Sequence, residues 1–259
     1  MQVNEIGVML AVGQDPVQNI EKVKSLGLRL VQMGSPGDEW LEEPKRLELK
    51  VMLEEAGIEV FTVFVGFEGE SYKDIATVRE TVGFLNREAR EARLQRTCNV
   101  CDLAKCLGAK YLASHVGFIP EDVDDPQYAA MVDVVRKIAD YCKTLGCSFV
   151  LETGQEPARV LVRFIRDVNR ENVGVNFDPA NMILYGSGDP HEALMMLRDW
   201  VVSVHCKDGV PPVEQGMLGS EKPLGKGAVD IPRFISELKS FGYEGPLVIE
   251  REIPGPEQV

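Results

Sequence analysis

One phrase recurs along this chain and limits its fold more than any other feature. A helical pattern closes on an apolar residue and a glycine, and a short β-rich run follows. Leu26-Gly27 precedes LRLVQM, Ala56-Gly57 precedes IEVFTVFV, Leu107-Gly108 precedes AKYLASH, and Leu145-Gly146 precedes CSFVLET; Phe241-Gly242 comes shortly before PLVIERE. Glycine just past a helix end takes a left-handed conformation that a Cβ would penalise. Each joint therefore predicts a passage from helix to strand.

Helix starts agree with this reading. Asp15-Pro16, Asp125-Pro126 and Asp189-Pro190 each place a capping carboxylate before a proline at the first helical position. Val17, Ile20, Val23 and Leu26 predict one apolar face, as do Val160, Leu161, Phe164, Ile165 and Val168 after Pro157. The β-type runs are EIGVML, LRLVQM, IEVFTVFV, KYLASHV, CSFVLET, VGVNF, VVSVH and LVIE. They are nearly continuously apolar, as strands of a covered parallel sheet are. Eight such strands alternating with helices predict an α/β fold, a single (β/α)8 TIM barrel spanning residues 1–259. An open doubly wound sheet is the structural alternative, but no G-x-G-x-x-G follows the first strand. The irregular stretches from Gly66 to Lys73 and from Asp208 to Asp230 each follow a strand. In a barrel they become walls of the C-terminal face, where active sites are built.

A net charge of -13 with no Lys/Arg-rich run argues against nucleic acid as a partner. A local basic pocket for one small phosphorylated ligand stays open. MQVNEIGVML has no basic leader region, and no apolar run approaches a membrane span, so the expected setting is cytoplasmic with no membrane partner. Cys98 and Cys101 form a C-x-x-C, with Cys106 behind them, but no second pair completes a zinc site. The six cysteines read as small buried thiols.

Polar residues at the tips of apolar strands are costly unless they serve a purpose. Glu152 ends FVLE, Asp178 ends VGVNFD, His205 ends VVSVH and Glu250 ends PLVIE, at intervals of 26, 27 and 45 residues. The first two intervals match one β/α unit; the third matches a unit plus the long loop from Asp208. Four neighbouring strand tips can converge, and three carboxylates with one imidazole suit Mn²⁺, Mg²⁺, Co²⁺ or Zn²⁺, with Mn²⁺ the first choice. Without a cation the carboxylates would repel one another. Taken singly, each of these residues is more often a salt-bridge partner or a satisfied core side chain; it is the four together, on consecutive strands at the repeat spacing, that point to a site.

The phrases LETGQE, NFDPANMILYG, VHCKDG, PLGKGAVD and LVIERE resemble the xylose-isomerase-like sugar isomerase/epimerase superfamily. The likeness runs from the fourth strand to the C-terminus and is weaker before it. It implies that Glu152, Asp178, His205 and Glu250 bind the metal, as in ketose 3-epimerases. It also implies that Glu152 and Glu250 are catalytic and exchange protons with substrate carbon from opposite faces. The chemistry is coherent in itself: a cation chelating a ketone and the adjacent hydroxyl stabilises an enediolate, while one carboxylate takes a proton and another returns one. His115, Lys207, Gln155 and Asn181 are substrate-binding candidates. Arg251 should alternate outward into a structural ion pair, and Gly225 and Gly227 shape a loop for which phosphate binding is the alternative reading. Two departures from the epimerase pattern concern the substrate. Asn181 stands where a histidine is usual after the strand-six aspartate, and Lys207 is the cation nearest the usual strand-seven arginine.

The expected function is thus a metal-dependent epimerase or isomerase acting on a ketose or related polyol ketone. An inosose-dehydratase-like lyase would share the first step. A non-catalytic metal- and sugar-binding barrel is a further alternative. A multi-zinc DNA-repair endonuclease would need more histidines than His115, His191 and His205. A homodimer would suit such a barrel.

Overall fold

The computed structural model describes residues 4–13 and 15–253; the ends of the 1–259 span and residue 14 lie outside the described residues. The strands are β1 (Ile6–Leu10), β2 (Leu30–Met33), β3 (Glu59–Val65), β4 (Tyr111–Ser114), β5 (Ser148–Glu152), β6 (Val173–Phe177), β7 (Val201–Cys206), β8 (Asp208–Val210), β9 (Ser220–Lys222) and β10 (Leu247–Ile249). The helices are α1 (Val17–Ser25), α2 (Glu43–Glu55), α3 (Ile75–Thr81), α4 (Arg90–Leu107), α5 (Pro126–Thr144), α6 (Ala158–Val168), α7 (Pro179–Tyr185), α8 (Pro190–Leu197) and α9 (Ile231–Ser240). Eight strands close a parallel barrel in the order β1-β10-β7-β6-β5-β4-β3-β2, and each of the eight predicted runs supplies one of them. The long segment after β7 adds a separate antiparallel pair, β8 with β9.

The glycine joints behave as predicted: Gly27, Gly57, Gly108, Gly146 and Gly242 all have φ between 68° and 77°. Asp125 and Asp189 cap α5 and α8, and the proline after each is the first helical residue. At α1 the pattern slips by one. Pro16 itself occupies the cap, and Asp15 accepts from the Val17 N–H at 3.1 Å.

The apolar face of α6 is fully realised, with Val160, Leu161, Phe164, Ile165 and Val168 all buried. On α1 only Ile20 and Val23 are buried, while Val17 and Leu26 are exposed. An i, i+3 series drifts by about 60° per step on a helix of 3.6 residues per turn, so only its middle members face the barrel. The core lies between the strands and the surrounding helices, with Phe84, Phe149, Phe164, Phe177 and Phe234 among its largest buried side chains. The cysteines are unpaired; Cys101, Cys142, Cys147 and Cys206 are buried, while Cys98 and Cys106 are half-buried along α4. Among the described residues, no helix is long and apolar enough to cross a membrane.

Candidate metal centre

Four neighbouring strands of the barrel carry the four strand-tip residues to one point. Glu152 is the last residue of β5, Asp178 follows β6, His205 is the penultimate residue of β7, and Glu250 follows β10. One potential ligand atom from each lies within 4.8 Å of the others. His205 Nδ1 is the hub, at 3.0 Å from Glu152 Oε1, 3.1 Å from Glu250 Oε2 and 3.2 Å from Asp178 Oδ2. Asp178 and His205 are completely buried, and Glu250 keeps about a tenth of its side chain exposed.

A polar layer beneath the hub orients the imidazole. His205 Nε2–H donates to Gln32 Oε1 at 2.8 Å, Gln32 Nε2 donates to Asn176 Oδ1 at 3.1 Å, and Ser203 Oγ donates to the same Asn176 oxygen. An amide oxygen only accepts, so the contact with Gln32 at 2.8 Å, shorter than the 3.1 Å contact of Nε2 with the Asn176 amide nitrogen, favours a proton on Nε2. In the neutral ring the Nδ1 lone pair then points among the three carboxylates, the orientation a metal-ligating histidine needs. Gln32, Asn176 and Ser203 are fully buried, and none of them was singled out by the sequence reading. A signal was present: each is a polar residue inside an otherwise apolar strand.

The charges within this cluster are strongly coupled. Burial opposes a charged His205, but the Glu250 charge and the bonds to Asp178 and Glu152 hold its pKa well above the ordinary value. Burial also works against ionised Glu152, yet His115 and His205 outweigh it and hold the carboxyl at about 2. Glu250 is likewise opposed by burial and drawn well below the usual range by His205 and Lys207. At Asp178 burial wins over Lys207 and His205, and its pKa rises. Three carboxylates and an aligned imidazole in a buried cluster form a donor set that fits one divalent cation.

Above the cluster opens a cavity of about 530 Å³ at the C-terminal mouth of the barrel, within the range of small-molecule sites. His115 lines it, with Nε2 at 3.0 Å from Glu152 Oε2 and a buried Nδ1 that has no protein partner. Burial opposes protonation of His115, but Glu152 raises its pKa to about 9. Lys207 and Asn181 also line the cavity. Lys207 Nζ donates to Glu250 Oε2 at 2.9 Å, to Asn181 Oδ1 at 3.1 Å and to Glu252. Gln155 is buried and is not among the residues that line the cavity, and its Nε2 has no partner. Arg251 points away from the cluster and pairs with Glu221 at 2.9 Å. His191 is a structural strut, held by Glu237 at 2.7 Å and the Val229 carbonyl at 2.8 Å.

Three further residues, two on the cavity wall and one buried near His115, were not predicted. Tyr72, from the loop after β3, and Tyr185, at the end of α7, stand on the cavity wall. Burial pushes both phenols upward, so both hydroxyls keep their protons. Glu156, in the loop after β5, is buried, and that burial lifts its carboxyl to about 8. Position in a loop gives no periodic signal by which sequence could have marked Tyr72 or Glu156, and Tyr185 ends a helix of seven residues, too short to show a periodic face.

With the geometry in place, comparisons with known proteins agree. The family described as xylose isomerase-like TIM barrel matches residues 20–259. A crystal structure of a xylose isomerase domain protein from Planctomyces limnophilus superimposes with a TM-score of 0.91 at 38% identity, covering 96% of this chain and 91% of that one. D-psicose 3-epimerase with D-tagatose from Clostridium cellulolyticum H10 superimposes at 0.72 and 18% identity, covering 97% and 87% of the two chains; it shares the fold. An inosose isomerase from Bacillus licheniformis is 24% identical over 184 residues, 65% of this chain and 64% of that protein. The chain spans less than two thirds of the length of the curated relatives it matches.

Proposed function

The chain belongs to the xylose isomerase-like TIM barrel family, and on that premise we propose that it is a divalent-metal-dependent sugar epimerase or isomerase acting on a ketose or related polyol ketone. One observation carries the reading: three carboxylates converge on the Nδ1 side of an imidazole whose Nε2 is already bonded to Gln32. Glu152, Asp178, His205 and Glu250 would hold the ion, with Mn²⁺ the first choice. When bound, it supplies Lewis-acid stabilisation of negative charge on the substrate oxygens. The whole chain is read as one barrel domain.

The chain's own residues account for the proton movements. Glu250 and Glu152 are both held ionised, so each is ready to accept a proton from the carbon beside the ketone. Its removal leaves an enediolate that can be reprotonated. His115 retains a proton to about pH 9 and lies 3.0 Å from Glu152, so it can recharge that glutamate as the acid. Lys207 holds the Glu250 carboxylate in place from the other side. His115 and Asn181, both on the cavity wall, are the residues placed to meet substrate hydroxyls. Reprotonation on the opposite face inverts a stereocentre; reprotonation on the neighbouring carbon interconverts ketose and aldose.

Similarity to an inosose isomerase supports a cyclic polyol ketone as a second substrate reading with the same first step. Expulsion of a hydroxyl from that intermediate would make the enzyme a lyase. The test is solvent deuterium incorporation into a panel of ketoses and inososes, followed by NMR with Mn²⁺ supplied and with metal removed. Metal-dependent exchange next to the carbonyl is expected, and the product distinguishes epimer, aldose and dehydrated ring. Absence of exchange from every compound, with metal bound, would sink the proposal.

A further inference from the structure

In β/α barrels, phosphate groups are commonly received by the loops after strands seven and eight and by an adjoining helix N-terminus, through backbone N–H donors. Here that place is filled from within. The loop leaving β7 folds back so that Asp208 Oδ1 accepts from the N–H groups of Gly209 at 2.9 Å and Val229 at 3.1 Å. Asp208 Oδ2 accepts from Gly225 at 2.9 Å and Gly227 at 2.8 Å. These four bonds use the lone-pair capacity of the carboxylate and consume the donors that a glycine-rich loop would offer an anion. The fit is close, since a Cβ on Gly227 would collide with Asp208 Oδ1. The helix ends beside the site are closed in the same way: Asp178 accepts from the Asn181 N–H on α7, and Asp230 accepts from the Arg233 N–H on α9.

The cavity repeats the message. Among the described residues lining it, Lys207 is the only lysine or arginine, and Glu250, Glu252 and Asn181 engage it. His115 is paired with Glu152. Four glutamates, Glu70, Glu152, Glu250 and Glu252, share the lining. Met9, Phe64, Leu184 and Leu218 complete the wall with apolar surface.

We infer that this site takes an unphosphorylated polyhydroxy ketone and rejects its phosphate esters. The inference rests on the enolate reading above and narrows it. A phosphate dianion would enter beside carboxylates, with the usual N–H nest already saturated and the one lysine among the described lining residues already engaged by Glu250, Glu252 and Asn181. A neutral polyol meets instead hydroxyl-accepting glutamates and apolar surface suited to its C–H faces.

Matched pairs decide it: D-fructose against D-fructose 6-phosphate, and D-tagatose against its 6-phosphate, each followed for deuterium exchange with the Mn²⁺-loaded full chain. The free sugar should be preferred by about a hundredfold or more in kcat/KM, the scale expected when like charges are brought together in a site. A phosphate ester that exchanges as well as its free sugar, or better, overturns the inference and leaves the enolate reading intact. Exchange in neither partner leaves the enolate reading to the wider panel of ketoses and inososes; the inference is then decided by titrating inorganic phosphate into the metal-free full chain with phosphorus NMR. Saturable broadening at micromolar phosphate would overturn it, and an unaffected line at millimolar phosphate would support it.

Discussion

At the N-terminal end of the barrel, Arg29 and Glu5 pair at 3.1 Å with their side chains 74% and 45% exposed; at the C-terminal end, Lys207 and Glu250 pair at 2.9 Å with 1% and 10% exposed. The distances are nearly alike and the consequences are not. Water and salt screen the first pair, so either partner can be lost at little cost. Burial removes that screening from the second, and deleting one partner strands a charge among others. The barrel therefore carries tolerant electrostatics at one end and committed electrostatics at the other, and proton chemistry needs the committed kind.

The sharpest way to break this contrast is to remove charge at the mouth while keeping shape. Glu250→Gln and Glu152→Gln should each lower the solvent-exchange rate by about a thousandfold, as loss of a general acid or base does, with circular dichroism unchanged. Retention of more than a tenth of the rate in either variant would remove that glutamate from the proton pathway.

Next in size is the pH response of Glu156, whose carboxyl burial raises from an ordinary 4.5 to about 8. Below the lower value both folded and unfolded chains hold the proton, and nothing is gained or lost. Between the two values the unfolded chain has released it and the folded chain has not, so stability falls as pH rises; above about 8 the full penalty remains. Glu156→Gln should flatten that decline and stabilise the protein at high pH by a few kcal/mol, of the order that such a shift implies. Urea unfolding of both proteins across this range would show parallel curves if the carboxyl is not buried in solution.

Gln32→Leu sharpens the comparison further, because it leaves every ligand in place. Freed from Gln32, the His205 ring loses the contact that fixes its tautomer, and Mn²⁺ affinity measured by electron paramagnetic resonance should fall about 10- to 100-fold. Unchanged affinity would show that the carboxylates alone orient the ring. The smallest effect belongs to the other end. Arg29→Ala should change stability by less than about 1 kcal/mol and leave metal affinity untouched; a larger loss in a denaturant titration would mean that the two ends are not so different.

Legibility of this molecule in its sequence followed periodicity. The barrel was readable because glycine caps and apolar runs repeat with each β/α unit. Glu152, Asp178, His205 and Glu250 were readable because each interrupts such a run at its tip. Gln32 and Asn176 interrupt runs as well, but inside the strand, where a polar residue looks like noise until its partner across the barrel is known. The loop around Gly225 and Gly227 was open to reading as a phosphate cradle because its glycines are visible in sequence. Its occupant, Asp208, lies 17 and 19 residues earlier, and nothing local pairs them. Tyr72 and Glu156 depend on loop paths that no repeat dictates.

The order of strands around the barrel has a consequence for how the protein is made. β10 closes the barrel by pairing with β1 on one side and β7 on the other, and Glu250 lies one residue beyond it. A chain emerging from the ribosome thus assembles at most three members of the cluster before that closing strand arrives. On the metal-binding reading proposed above, tight capture of an ion would wait for ring closure, and the bound ion would stabilise the closed form by mass action. Metal uptake would then serve as a late checkpoint of biosynthesis, passed only by chains whose first and last barrel strands have met.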